Sequence, residues 1–293
     1  MRKIKRSALL LVCLAACADP SIDIDAAIEC DSCEKWNKAQ EAFQIFGNTY
    51  FVGVAGLSSI LIDSGDGLIL LDGGLPQSVP LIVDNIESLG FSIDEIKVIG
   101  LSHAHFDHAG GIAALQRASG ARVVARATAA VTLRNGNLLP DDPQYGATGS
   151  KFPAVESVET VSDHYVIQVD GLGVQLIATP GHTLGGTSFS WESCEEDDCR
   201  RIVYVDSLSA ASAGVFRFSS GPTSAADMLR WSTSMVAGLD CDIFLAPHPF
   251  NFHMQQKLRN DFLRNPFIDS GCEDYASYAL EGLEERLLQE MRR

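Results

Sequence analysis

The run Ser102-His103-Ala104-His105-Phe106-Asp107-His108 constrains this chain more than any other feature. Four side chains able to bind a metal fall within six residues. They come directly after the apolar stretch Ile96 to Leu101 and before the helical pattern Ala109 to Ser119. A buried strand that ends in such a segment must turn tightly into the helix, so that the polar groups converge. On that turn His103 and His105 can share one ion while Asp107 and His108 face a second. Imidazole and carboxylate suit zinc, and catalytic zinc keeps an open position for water. A metal-free surface histidine cluster is the plain alternative, and it leaves Asp107 and the spacing unexplained.

Two isolated histidines complete a set. His182 lies in Thr179-Pro180-Gly181-His182-Thr183-Leu184-Gly185-Gly186, a glycine-rich turn after a strand, and His248 lies in Ala246-Pro247-His248-Pro249 beyond another apolar strand. Alone, either reads as structural; beside the His-x-His-x-Asp-His run both read as ligands. His164 reads as a solvated bystander, and His253 as a rim or packing residue.

Strand patterns at Thr49–Val54, Ser59–Asp63 and Leu68–Asp72 are separated by glycines. A helix over Ser78–Leu89 ends at Gly90, the buried strand follows, and Ala109–Ser119 closes at Gly120 before a strand at Ala121–Ala125. Strands alternating with helices predict βαβ units and a largely parallel sheet region. Residues 135–153 form a long Gly/Pro/Asp-rich loop, of the kind that serves as a lid or binding loop. Short strands recur at Tyr165–Val169, Val174–Ala178, Thr187–Trp191 and Ile202–Val205. A Gly/Ser-rich loop (207–221), a helix (Ser224–Leu239), a strand (Asp242–Leu245) and a terminal helix (Glu273–Met291) complete the chain. The order implies an α/β fold of two β-plus-α halves stacked face to face, a single domain with an αββα cross-section.

Residues 1–17 combine Arg2, Lys3, Lys5 and Arg6 with a short apolar stretch, the pattern of an export signal too short to span a bilayer. Leu14-Ala15-Ala16-Cys17 looks like a lipobox that makes Cys17 a lipidated first residue; cleavage after Ala18 at an Ala-x-Ala-like site also fits. Either way the expected location is outside the cytoplasm, in the periplasm and lipid-anchored in the lipobox case. Residues 18–35 then form a tether and 36–293 the catalytic domain. Without its leader the chain carries 18 basic against 38 acidic residues. Such a surface repels phosphate backbones, which argues against a nucleic-acid partner. Apart from the lipidation candidate Cys17, six cysteines remain, an even number that favours disulfides outside the cytoplasm. Cys194 and Cys199 flank an acidic turn that a short bridge could close. Cys241 precedes a strand and Cys272 opens the last helix, so a bridge could pin one to the other. Pairing of Cys30 with Cys33 stays open.

These residues resemble the metallo-β-lactamase superfamily, and more narrowly its third subclass of β-lactamases, which use histidine and aspartate but no cysteine as ligands. The resemblance runs from Trp36 to the last helix. Its further marks are Gly47-Asn48-Thr49-Tyr50-Phe51-Val52-Gly53, Leu71-Asp72-Gly73-Gly74 and Asp206-Ser207-Leu208-Ser209. It implies a four-layer αββα sandwich and two zinc ions, one held by His103, His105 and His182 and the other by Asp107, His108 and His248. It also implies Ser207 and Ser209 as contacts for a substrate carboxylate or ordered water. Both the Cys194–Cys199 and the Cys241–Cys272 bridge match relatives. Ala55 stands where several relatives carry a cysteine, and Trp36 to Phe43 departs from their proline-rich opening.

The implied reaction is hydrolysis of a small-molecule β-lactam by water activated between the zincs, with Asp107 orienting the nucleophile and passing a proton. Two other readings stay open: a lactonase-like hydrolase of the same fold, and a non-catalytic envelope binding protein. The first turns on whether Asp206 bridges the metals or points away and leaves Ser207 facing them; the second is opposed by the presence of all six ligands and would show as zinc occupancy without turnover. Oligomeric state is not legible.

Overall fold

Successive side chains of a strand face opposite ways, and this alternation builds the molecule's layers. The computed structural model describes residues 22–147, 149–221, 224–259 and 265–292; the export signal and Cys17 lie outside them. A one-turn helix α1 (Cys33–Trp36) leads into β1 (Phe43–Phe46), β2 (Thr49–Phe51), β3 (Ile60–Asp63) and β4 (Leu68–Leu71). These four pair antiparallel in chain order. Helix α2 (Val79–Ser88) then crosses to β5 (Ile96–Gly100). Helices α3 (Phe106–Ala109) and α4 (Ile112–Ser119) cross to β6 (Arg122–Arg126), and α5 (Ala127–Asn135) precedes β7 (Val158–Val161). From β4 to β7 the pairing is parallel, which completes a seven-stranded sheet.

Ile60 and Ile62 of β3, with Ile69 and Leu71 of β4, enter the core that also holds Leu176, Phe189 and Trp191 of the second sheet. Their alternates Leu61, Leu68 and Leu70 join Val79, Ile82, Ile86, Ile112 and Leu115 on the helical side. Because both faces are covered, these strands are apolar at nearly every position, as parallel and doubly covered sheets require.

The second sheet holds β8 (Val166–Val169), β9 (Leu172–Ala178), β10 (Thr187–Glu195), β11 (Asp198–Tyr204) and β12 (Ile243–Leu245), in the order β12-β11-β10-β9-β8. Helix α6 (Ala225–Ala237) crosses from β11 to β12; α7 (Met254–Arg259) and the long α8 (Cys272–Met291) follow. Leu229 and Val236 of α6 and Ala276, Ala279 and Leu283 of α8 belong to the same inter-sheet core. Two sheets thus stack with helices on both outer faces, a single αββα domain. Trp191 ties the layers together: its indole N–H donates to Thr49 Oγ1 at 2.9 Å, with both side chains buried.

Several expectations need correction. Parallel pairing holds for β4 to β7, whereas the second sheet is antiparallel except at β11–β12. The helix expected over Ala109–Ser119 is broken at Gly110-Gly111. The chain there presses on the turn after β4, so that a Cβ at Gly111 would lie 2.2 Å from the Gly73 carbonyl oxygen. Strands β1 and β7 and helix α5 were not foreseen: both strands are only four residues long, and α5 follows β6 without a break.

The segment expected to tether the domain lies along it. Ile22 and Ile28 pack on the helical side of the first sheet. Ile28 exchanges two hydrogen bonds with the Gln77 side chain, at 3.1 and 2.8 Å. The structure bonds Cys194 to Cys199 across the β10–β11 turn, Cys241 to Cys272 between β12 and α8, and Cys30 to Cys33 ahead of α1. Among the described residues no helix is long and apolar enough to cross a membrane.

Candidate metal centre

The site forms where β4, β5, β9, β11 and β12 end together, and its foundation is Asp72. This residue follows β4 with φ 63°, a left-handed conformation that non-glycine residues adopt rarely. Its buried carboxylate accepts the Ser102 backbone N–H, the Ser102 hydroxyl and the Tyr204 hydroxyl, each at 2.7 Å. Burial pushes the Asp72 carboxyl up to about 7, against the pull of these three donors. The start of the histidine-bearing turn is thereby clamped to the end of the neighbouring strand. His105 then caps α3 in an extended conformation, and Asp107 and His108 take the first helical turn.

Two groups of three ligand atoms result, His103 with His105 and His182, and Asp107 with His108 and His248, each group within 4.8 Å. In the first, the three rings meet edge to face at 4.7 to 4.8 Å between centroids. In the second, Asp107 Oδ2 lies 3.4 Å from His108 Nε2 and 3.5 Å from His248 Nε2. Zinc with ligand bonds of about 2.0–2.1 Å in tetrahedral array separates its ligand atoms by roughly 3.3 Å, so the spacing fits. Both nitrogens of His108 are fully buried and lack any hydrogen-bond partner among the described residues. Such an orphan is costly unless something absent from the protein chain satisfies it. The donor set and its geometry therefore suit a zinc-type metal centre.

Each remaining imidazole is oriented from behind. Asp206 Oδ1 accepts a hydrogen bond from His103 Nδ1 at 2.8 Å, the Ser209 carbonyl faces His182 Nδ1 at 2.9 Å, and the Gly56 carbonyl faces His248 Nδ1 at 3.1 Å. An acceptor that can only accept selects the tautomer, which leaves Nε2 of these three rings with its lone pair aimed at the centre. For His105 the arrangement is reversed, because Asp142 Oδ1 lies 3.1 Å from its Nε2, and the lone pair falls on Nδ1, where the Gln144 side-chain amide approaches it at 3.3 Å. Burial and the neighbouring histidines hold His103 well below its ordinary value. Burial likewise pulls His108 down to about 3 and His182 to about 4. All three are neutral near pH 7, the form a ligand needs. Burial pushes Asp107 up, but His108, His248 and His105 outweigh it and leave the carboxyl below its ordinary value, hence anionic.

The glycine-rich turn around His182 also finds its reason here. A Cβ at Gly186 would lie 2.4 Å from Asp206 Oδ2, so only glycine lets Asp206 reach His103. Asp206 is fully buried behind His103 and belongs to neither ligand group. Ser207 is buried next to it; the Ser209 hydroxyl lies 3.1 Å from His182 Nδ1, on the outer side of that ring. Trp36 and Phe250 flank His248 at 5.3 and 5.2 Å between centroids, which forms one wall. His164 and His253 are exposed and take no part; His253 adopts φ 54° at the end of a short turn.

The ranking of residues by sequence missed the outer partners Asp72, Asp142 and the Gly56 carbonyl. Asp142 left a signal in its place in the long 135–153 loop, and Asp72 in the Leu71-Asp72-Gly73-Gly74 mark, though neither showed which histidine or turn it serves. A third group, Glu192 with Cys194 and Cys199, is exposed, and its cysteines are bonded to each other, so no thiolate is available.

Comparison with known proteins agrees with this geometry. Residues 52–195 match the family model for the metallo-β-lactamase superfamily. The Rm3 metallo-β-lactamase superposes with a TM-score of 0.86 at 41% identity, over 90% of this chain and 99% of that one. MEM-A1, a subclass B3 metallo-β-lactamase from a soil metagenome library, gives 0.85 at 42%, over 88% and 99%. BJP-1, a subclass B3 enzyme of Bradyrhizobium japonicum, gives 0.81 at 31%, over 89% and 98%. Among curated proteins, hydroxyacylglutathione hydrolases of Ectopseudomonas mendocina and Rhodopseudomonas palustris are similar at 34% and 30% identity. The aligned segments span only 26% and 43% of those two proteins and 30% and 47% of this chain. A strand-to-helix turn built for two ligand groups, a near-complete structural match and a matching family model all converge: this chain belongs to the metallo-β-lactamase superfamily and is a hydrolase of that fold.

Proposed function

We propose that the protein opens the β-lactam ring of penicillins, cephalosporins or carbapenems with two zinc ions per chain. The observation that carries this reading is the position of Asp206. Its Oδ1 is committed to His103 Nδ1 at 2.8 Å, away from the centre, which leaves six ligands and, among the described residues, no further carboxylate to bridge the two groups. Identity of about 40% to β-lactamases over nearly their whole length supports it further. Likeness to the hydroxyacylglutathione hydrolases stops at less than half of either chain.

In this reading His103, His105 and His182 hold one ion, and Asp107, His108 and His248 hold the other. When bound, zinc supplies Lewis acidity that polarises a carbonyl and makes water more acidic. Asp107, anionic and 3.4–3.5 Å from two histidines, orients the attacking water and holds its proton until the ring nitrogen departs. Trp36 and Phe250 wall the His248 side, and Ser207 and Ser209 are the hydroxyls read as contacts for a substrate carboxylate or ordered water. With the leader read from the sequence, the working location is the periplasm, with Cys17 as lipid anchor to a cell-envelope membrane.

Side-by-side turnover of a cephalosporin, a γ-lactone and a glutathione thioester by the zinc-loaded protein tests the substrate. The cephalosporin is preferred by at least about a hundredfold in kcat/KM, roughly 2.7 kcal/mol of transition-state binding. A preference for the lactone or the thioester overturns the reading.

A further inference from the structure

Loop 135–153 does more than border the groove. Asp142 sits on it with a side chain only 10% exposed, and one carboxylate performs two tasks. Its Oδ1 accepts the Gln144 backbone N–H at 2.8 Å, which closes the turn that carries it. The same carboxylate reaches His105 Nε2 at 3.1 and 3.3 Å. The loop is also fastened from the other side, because the Ala213 N–H donates to the Pro143 carbonyl at 2.9 Å. Ala213 belongs to loop 207–221, which itself orients His182 through Ser209. Arg286 and Glu290 of α8 hold that second loop: Arg286 donates to Ser212 Oγ at 2.7 Å, and Glu290 accepts the Phe218 N–H at 2.8 Å. Two loops clasped to each other thus grip two of the three histidines of one ligand group by their outer nitrogens.

We propose that Asp142 is the positioning residue for His105, so that metal capture by the three-histidine group and closure of the turn over residues 139–147 are one event. The inference rests on the metal-centre reading but not on the substrate. His105 is the only ring of its group that must offer Nδ1, the nitrogen nearer its own backbone, so a small ring rotation displaces the lone pair from the shared centre. Among the described residues Asp142 is the acceptor that fixes this rotation from the outer side, while the Gln144 side-chain amide of the same turn lies 3.3 Å from Nδ1 and must yield that lone pair to a metal. Metal that draws His105 inward pulls Asp142 and the loop with it. An open loop releases the ring in turn.

The test is zinc titration against a chromophoric chelator in two backgrounds, His248→Ala, which isolates the three-histidine group, and His182→Ala, which isolates the other. Asp142→Ala weakens zinc by about 10–100-fold in the first background, the usual effect of losing an outer-shell partner, and by less than about threefold in the second. Asp142→Asn keeps its oxygen at the Oδ1 position, where the Gln144 N–H requires an acceptor, so unlike an amide at position 206 it still accepts from His105 and recovers most of the loss. Zinc also protects the Lys151 peptide bond from trypsin in the parent and fails to protect it in Asp142→Ala. Because neither readout uses a β-lactam, failure of the substrate reading leaves this test intact. Equal weakening in both backgrounds, an unchanged affinity, or an Asn variant as weak as Ala overturns the proposal. If the Ala variant does not fold, judged by near-ultraviolet circular dichroism, the Asn variant and the tryptic readout decide.

Discussion

Replacing Asp206 by asparagine separates two architectures that share one sequence. The Asp206 carboxylate is fully buried, holds His103 Nδ1 at 2.8 Å, and leaves Oδ2 without a partner among the described residues. Burial first, and the charge of Asp72 second, push its carboxyl well above the ordinary range. The metal-free fold therefore gains little from Asp206, and an isosteric amide leaves its stability within about 1 kcal/mol of the parent. Zinc binding behaves differently. An amide that presents N–H to His103 favours the wrong tautomer, and loss of such a partner weakens a metal ligand set by about 10–100-fold, or roughly 1.4–2.7 kcal/mol. At free zinc one hundred times the parent Kd, the three-histidine site stabilises the fold by about 2.7 kcal/mol; a 30-fold weaker site contributes about 0.9. Urea unfolding at fixed zinc thus reads a loss of about 1.8 kcal/mol that vanishes in chelator. In a His182→Ala background, where only the Asp107 group remains, Asp206→Asn changes zinc affinity by less than about threefold. Equal weakening of both sites would mean that Asp206 bridges the metals, and the reasoning above would be refuted.

Further outcomes follow from the same geometry. On the proposed mechanism Asp107→Asn removes a zinc ligand and the proton acceptor together, so kcat falls by at least about 10²-fold with zinc saturating, measured by steady-state kinetics. The metal-free protein loses stability on acidification. His108 and His182 have folded-state values near 3 and 4, below the 6.5 of the unfolded chain, so protons bind preferentially to the unfolded state as pH falls from about 6.5 towards 4. Asp72, raised from 3.8 to about 7, acts oppositely and removes stability between about pH 4 and 7, so it offsets part of the histidine gain and the urea midpoint of the chelated protein levels off near pH 7; a continued rise towards pH 9 contradicts this. Of the bridges joining strands or helices, Cys241–Cys272 closes the longer loop, with a sequence separation of 31 against 5 for Cys194–Cys199. Replacing each pair by alanines costs about 3.7 and about 2.2 kcal/mol respectively on the chain-entropy account, read as shifts in denaturant midpoint.

The centre's inner residues were legible because their spacing demands one geometry. His103, His105, Asp107 and His108 leave few folds other than a strand that turns into a helix, and the structure makes that turn. His182 and His248 were legible only in company, since a lone histidine at a strand end carries no direction. What stayed hidden depends on contacts distant in sequence. Asp72 is separated from Ser102 by 30 residues, and Asp206 from His103 by 103. Nothing local tells which way a buried aspartate turns at a strand end, so the Asp206 question could be posed from sequence but not answered. The β10–β11 hairpin extends past Trp191 to Glu195 because the cross-strand ladder, not local hydrophobicity, sustains it. Strands β1 and β7 lie at the two edges of the first sheet, where four residues each leave too short a pattern to register.

Hydrolysis of a chromogenic cephalosporin by the purified domain, stripped with chelator and then restored by stepwise zinc, tests the central claim most directly. The account predicts that turnover vanishes in the stripped protein and returns as zinc is added, reaching a kcat/KM of about 10⁴ M⁻¹s⁻¹ or more, within the usual enzyme range, once about two equivalents are bound. Full zinc loading of a folded protein with no measurable opening of the ring would contradict it.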